Sequence, residues 1–226
     1  MIPTLLRCAA VSLLFWFTAC STQPEQATKA AAAAMPSAAS APATRVTPEM
    51  PATITDTTAV LNALIQQRFP KLTVGDFEAG DLNTDGKPDL IVVAERPCDA
   101  ESGIEGAQCR TVLLVVNEGG SLRIAATNDN LVDCSECGGA GVGDPHQAIV
   151  MKGNYFTFES LYGACDKTAG FITFRYDRAR RNWFLHRLSR LEYSCNDTTS
   201  NPGLETQQTV KNFGVVSFAD YALQGI

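Results

Sequence analysis

Gly80-Asp81-Leu82-Asn83-Thr84-Asp85-Gly86-Lys87-Pro88-Asp89-Leu90-Ile91-Val92-Val93-Ala94 joins a polar loop to an aliphatic run. Asp81, Asn83 and Asp85 place side-chain oxygens at alternate positions. Ca²⁺ takes about six to eight hard oxygen ligands, and an alternating loop can wrap one ion. Gly86 permits the sharp turn that brings the Lys87 carbonyl round to the same point. Asp89 then closes the shell at what is the ninth position of an EF-hand loop. No acid follows at the twelfth position; the chain instead enters Leu90–Ala94, so the loop leads into a strand and not a helix. Asp, Asn and Gly also favour plain surface turns, but their order here is stricter than a turn requires.

This loop resembles the calcium loop of FG-GAP repeats in integrin-type β-propellers, where Asp-x-Asn-x-Asp-Gly-x-x-Asp also precedes a strand. A full propeller repeats the pattern, and this chain carries one copy.

The amino terminus reads as an export signal. Arg7 precedes the apolar run Cys8–Phe17, followed by Thr18-Ala19-Cys20. A charged start, an apolar stretch of about ten residues and a small-residue cut site are the features of a secretory signal. The run falls short of the about 20 residues that span a bilayer. Residues 1–19 are therefore expected to be removed, and Cys20 resembles the lipidated cysteine of a bacterial lipobox. Lipid chains on Cys20 give stable anchoring. Ser21, rather than Asp, after that cysteine points to the periplasmic leaflet of the outer membrane. Residues 20–52 are mostly Ala, Pro, Ser, Thr and Gln without apolar periodicity, which predicts a flexible tether. Residues 53–226 are long enough for one domain with its own core.

The chain has a formal charge of −6. That balance argues against nucleic-acid binding, which draws on Lys and Arg, and suits encounter with a basic protein. Beyond Cys8 and Cys20, six cysteines remain: Cys98, Cys109, Cys134, Cys137, Cys165 and Cys195. An even number in an exported chain implies disulfides. Nearness along the chain and shared loops suggest Cys98–Cys109, Cys134–Cys137 and Cys165–Cys195, one of about 15 possible pairings. Cys134-Ser135-Glu136-Cys137 also has the spacing of a redox pair or half a zinc site. The following Gly138–Gly143 run lacks the Lys-Ser/Thr of a phosphate loop and reads as loop glycines beside a disulfide.

Asp56–Phe69 has helical spacing, with Val60, Leu61, Leu64, Ile65 and Phe69 on one face, Asp56 as N-cap and Pro70 as terminator. Strands are expected at Leu72–Glu78, Leu90–Glu95, Thr111–Asn117, Leu122–Thr127, Gln147–Met151, Tyr155–Leu161, Ile172–Tyr176 and Trp183–Leu188, with two more at Leu191–Cys195 and Val215–Ala219. The near-continuous aliphatic run after Thr111 predicts a strand covered on both faces. The sum is a mostly β, antiparallel domain with one N-terminal helix, stapled by disulfides. A partial or propeller-like arrangement and a sandwich both fit.

No nucleophile elbow, zincin helix or haem motif is present. His186 shares an expected strand face with Phe184 and Leu188 and reads as structural; His146 lies in a loop. Glu159–Cys165 is expected to be a loop at a hairpin end, with Ser160, Tyr162 and Gly163 similar in type to the plugging loops of periplasmic lysozyme inhibitors. Tyr is a low-entropy anchor for a protein cleft, although an ordinary hairpin end accounts for the same residues.

Taken together, the lipobox, the tether, Asp81–Asp89, Gly143-Asp144-Pro145-His146 and Gly153–Glu159 resemble the immunity lipoproteins of a bacteria-killing type IV secretion system. The resemblance implies a propeller-like fold with bound Ca²⁺, a periplasmic location and membrane attachment through the lipid alone. It also implies inhibition of a lysozyme-like peptidoglycan hydrolase toxin, without chemistry of the chain's own.

Overall fold

A computed structural model describes residues 54–99, 104–196 and 203–223. The expected signal sequence, lipidated Cys20 and tether lie outside the described residues. Helix α1 spans Ile54–Arg68, and the strands are β1 (Thr73–Gly80), β2 (Asp89–Pro97), β3 (Gln108–Asn117), β4 (Leu122–Asn128), β5 (His146–Lys152), β6 (Tyr155–Gly163), β7 (Lys167–Asp177), β8 (Asn182–Tyr193) and β9 (Leu204–Thr209). A one-turn helix, α2, follows at Val210–Phe213.

The strands form two antiparallel meanders, β1-β2-β3-β4 and β5-β6-β7-β8-β9. Alternation along β2 and β3 explains how they stack. Ile91, Val93, Val112, Leu114 and Val116 join Ile149, Phe156, Phe158, Ile172, Phe174 and Leu185 of the second sheet in one core. Leu90, Val92, Ala94, Leu113 and Val115 point the other way and pack with Leu61 and Ile65 of α1. The order of layers is thus α1, first sheet, second sheet. Doubly covered β2 and β3 account for the unbroken aliphatic run in their sequence. The two sheets pack face to face around one shared core. The sheets do not close into a propeller.

Phe218, from the segment after α2, is fully buried and packs edge-on against the stacked pair Phe156 and Phe174, at ring-centroid distances of 6.1 and 5.3 Å. The expected strand Val215–Ala219 is therefore mostly irregular, with one bridge, Phe184 to Ser217. Its apolar pattern reflects core filling and not ladder pairing. Conversely, β9 reads Leu-Glu-Thr-Gln-Gln-Thr, is almost wholly exposed, and pairs with β8 along an edge.

Other boundaries also move. Helix α1 begins before Asp56, which sits in its first turn and not at the N-cap, and Val60 is 55 % exposed and outside the buried stripe. The two strands expected at Trp183–Leu188 and Leu191–Cys195 are one strand, β8. A register shift opposite Thr173 and Phe174 makes His186 an extra residue, so Leu188 packs on the core while His186 is exposed. His186 therefore does not share a face with Leu188. Its ring meets that of Tyr155 edge-on at 4.9 Å.

Candidate metal centre

Connections β1–β2, β3–β4, β5–β6 and β7–β8 gather at one end of the sandwich. Contacts between the sheets fix this grouping: Trp183 Nε1, at the start of β8, donates to the Leu82 carbonyl at 2.9 Å, and Arg178 Nε donates to Thr84 Oγ1 at 2.6 Å. Leu82 is itself buried in the core shared by the two sheets. The oxygen-rich loop is thereby held to both sheets.

Inside the loop, oxygens turn inward. Asp85 N donates to both Asp81 Oδ1 (3.1 Å) and Asn83 Oδ1 (2.9 Å), Gly86 N to Asp81 Oδ2 (2.8 Å), and Lys87 N to Asp85 Oδ1 (2.9 Å). This winding needs left-handed backbone at two positions, Thr84 (φ 61°) and Gly86 (φ 81°). Gly adopts it readily. For β-branched Thr84 it is strained, and the Arg178 contact and the bond from Thr84 Oγ1 to the Asn83 carbonyl help hold it there.

Asp89 is fully buried. Its Oδ2 accepts from Leu82 N at 3.0 Å and its Oδ1 from Asn117 N at 2.8 Å, which ties the loop to the β3–β4 turn. Burial pushes its carboxyl above the usual range, and the neighbouring charges of Asp85 and Asp81 push the same way, against the two N–H bonds. Among the described residues no cationic side chain pairs with Asp89; Lys87 instead approaches Asp85, 3.8 Å away. A buried carboxylate beside two like charges is unfavourable without a compensating cation.

Among the described residues, no three His, Cys, Asp or Glu side chains form a ready metal cluster. Oxygen donors from Asp81, Asn83 and Asp85, the Lys87 carbonyl and Asp89 nevertheless make a donor set of the type hard cations take. The fit to Ca²⁺ rests on that chemistry and on the uncompensated charge of Asp89.

The opposite end holds the β2–β3, β4–β5, β6–β7 and β8–β9 connections and all three disulfides. These are Cys98–Cys109, Cys134–Cys137 and Cys165–Cys195, the pairing suggested by nearness in the chain. The Cys134–Cys137 bond accounts for both thiols of that motif. Arg110 is buried at the same end, with Nη1 donating to Asp144 Oδ1 at 2.6 Å, Nε to Glu95 Oε1 at 2.9 Å, and Nη1 also to the Asp133 carbonyl. Burial works against the Asp144 charge, yet the Arg110 guanidinium and the His146 N–H hold its carboxyl below the usual range. The ring Nε2 of that His lies 3.1 Å from Asp76 Oδ2.

The glycines after Cys137 have a packing role. Gly163 N donates to the Gly138 carbonyl and Gly141 N to the Gly163 carbonyl. A Cβ on Gly141 would sit 2.6 Å from Ala164 Cα, so the two backbones meet at a distance only glycine allows.

Ser160, Tyr162 and Gly163 are not in a loop. They extend β6, opposite Gly170, Thr168 and Lys167, and the tip of the hairpin is only Ala164–Asp166. Tyr162 is half-buried and its hydroxyl donates to Asp133 Oδ2 at 2.9 Å, while Ser160 Oγ donates to the Gly170 carbonyl. Burial and the Asp133 charge raise the Tyr162 pKa well above its ordinary value. The sequence missed this because Glu159–Gly163 lacks a clear apolar alternation. Ladder bonds and the packed glycine loop extend the strand in its place.

No family model, curated protein or solved structure matches this chain.

Proposed function

We propose that this chain is a periplasmic inhibitor: a lipid-tethered β-sandwich, clasped by Ca²⁺ at one end, that binds and blocks a lysozyme-like peptidoglycan hydrolase toxin. The metal reading is carried by one observation, the buried Asp89 carboxylate beside Asp81 and Asp85 without a cationic partner. Ca²⁺ in the loop would offset that charge. Asp81, Asn83 and Asp85 would hold it through side-chain oxygens and Lys87 through its carbonyl. Asp89 would contribute where its N–H bonds leave lone pairs. Metal binding coupled in this way to a folded loop stabilises the fold.

The inhibitor reading is supported by the resemblance carried by Asp81–Asp89, Gly143–His146 and Gly153–Glu159, and by disulfides of the kind exported proteins keep. The chain would act by occluding a cleft, with no chemistry of its own. Because Tyr162 is bonded to Asp133, any contact by the β6–β7 hairpin would come from its tip, Ala164–Asp166, which is exposed. The test is a stoichiometric complex with a periplasmic muramidase encoded beside this gene, together with loss of that enzyme's activity. A muramidase that remains fully active and unbound at saturating protein would remove the reading.

A further inference from the structure

Across the outward face of the second sheet, cations and aromatic rings alternate. Lys152 stands opposite Tyr155, Tyr155 opposite Arg175, and Arg175 opposite Phe184. Read from β5 to β8, the row is cation, ring, cation, ring, over about 15 Å at the usual strand separation. Arg187 belongs to the next row, opposite Thr173, and His186 lies against Tyr155. Lys152, Arg175, His186 and Arg187 are exposed, and Tyr155 and Phe184 partly so. Residues that alternate with these, Phe156, Phe174 and Leu185, are buried in the core. The row is thus presented by strands whose other face is packed.

Its charge is uncompensated. Among the described residues no carboxylate pairs with Lys152, Arg175 or Arg187, and Asp177 in the adjoining turn is taken by Arg180 at 3.7 Å. Burial, then the charges of Arg175 and Arg187, hold the His186 pKa below its ordinary value. In a chain of net charge −6, this concentration of unpaired positive charge is local. Like charges held together on rigid strands repel, and an anionic ligand would relieve that repulsion.

We propose that this face binds an anionic glycan, its sugar rings lying against Tyr155 and Phe184 and its carboxylates meeting Arg175, Arg187 and Lys152. Two observations favour that occupant. The surface is an open sheet face and not a cleft, which suits a linear polymer. Tyr155 and Phe184 are two strands apart, on the order of 10 Å, with a guanidinium between them, so ring contacts and charge contacts alternate along one line. One face of the Phe184 ring is already covered by Arg180, 5.1 Å from the centroid, which leaves an edge and the opposite face for a sugar. The site is separate from the proposed inhibitory contact and does not depend on it.

The test is co-sedimentation of the full exported chain with insoluble peptidoglycan sacculi, a glycan bearing peptide carboxylates. Parallel arms use vesicles of phosphatidylethanolamine and phosphatidylglycerol and a single-stranded DNA oligonucleotide. Because each arginine would make charge-assisted contacts, Arg175→Glu with Arg187→Glu should weaken sacculus binding by roughly a hundredfold or more. Tyr155→Ala should weaken it less, and Lys71→Glu, on the α1 side, should leave it unchanged. Arg175→Gln with Arg187→Gln, which removes the charge but keeps a polar side chain, should also lose binding while melting with the parent protein. Equal binding by parent and charge-reversed chains would overturn the proposal, as would absence of sacculus binding by the parent or its preference for the vesicles or DNA.

Discussion

At one end of the sandwich, Leu82–Asp89 is a loop of acids whose charges find little compensation; at the other, Arg110 sits buried among Glu95, Asp144 and the Asp133 carbonyl, with three disulfides around it. Both ends join the two sheets. The disulfide end does so with partners wholly supplied by the chain. The loop end does so through Trp183 and Arg178, but leaves a buried carboxylate, Asp89, without a cation. The comparison teaches that one end is complete as folded, while the other would gain from an ion. Perturbations at the disulfide end should therefore be indifferent to Ca²⁺.

The largest effect should come from Arg110→Ala. It leaves Glu95 and Asp144 facing each other without their shared cation, and removing one partner of a buried ion network costs about 3–5 kcal/mol. Urea unfolding should show the same loss with Ca²⁺ and with chelator; a loss confined to chelator would merge the two ends into one system. Next is Cys165→Ser with Cys195→Ser. These residues are 30 apart in sequence, and releasing a loop of that size costs about 3 kcal/mol, again independent of Ca²⁺ in the same assay.

A pH series sharpens the contrast further. The folded pKa of Asp144 lies below its unfolded value. Its charge thus contributes stability above the unfolded value, about 3.9, and that contribution is lost as pH falls through the folded value. The stability difference between the parent and Asp144→Asn should be greatest near neutral pH and shrink below about pH 4. A difference that grows on acidification would contradict the assigned partner. The smallest effect is expected from Tyr162→Phe, which removes the bond to Asp133 and costs about 1 kcal/mol. Because Tyr162 is turned into the domain, the proposed inhibition of a hydrolase should be unchanged. Loss of inhibition with unchanged stability would return Tyr162 to the contact surface.

How much of this was legible in the sequence depended on which force holds each element. Strands β2 and β3 were plain, because burial on both faces leaves an aliphatic run at Leu90–Ala94 and Thr111–Val116. The disulfide partners followed from nearness along the chain. Strand β9 was invisible, since an exposed edge strand is held by ladder bonds to β8 and carries no apolar alternation. The reverse error arose at Val215–Ala219, where Phe218 is apolar because it fills the core against the stacked rings of Phe156 and Phe174. At β8 the bulge residue His186 broke the period of two, so the face assigned to it from alternation was wrong. The alternating oxygen donors of the loop were readable by spacing. The burial of Asp89, and its bonds to Leu82 and Asn117, were not, because they depend on a turn 28 residues away. The same holds for Arg110, whose partner Asp144 is 34 residues distant.

The claim that the loop holds a divalent ion is tested most directly by melting the purified domain in Ca²⁺ and in chelator, alongside Asp81→Ala. Ligand at about a hundred times its dissociation constant adds about 2.7 kcal/mol, which for a domain of this size raises Tm by roughly 5–10 °C. The parent should show that rise and Asp81→Ala should lose most of it, while in chelator the two should differ less, by the bonds Asp81 accepts from Asp85 N and Gly86 N. Equal melting of the parent with and without Ca²⁺, or a loss in Asp81→Ala as large in chelator as in Ca²⁺, would contradict the account.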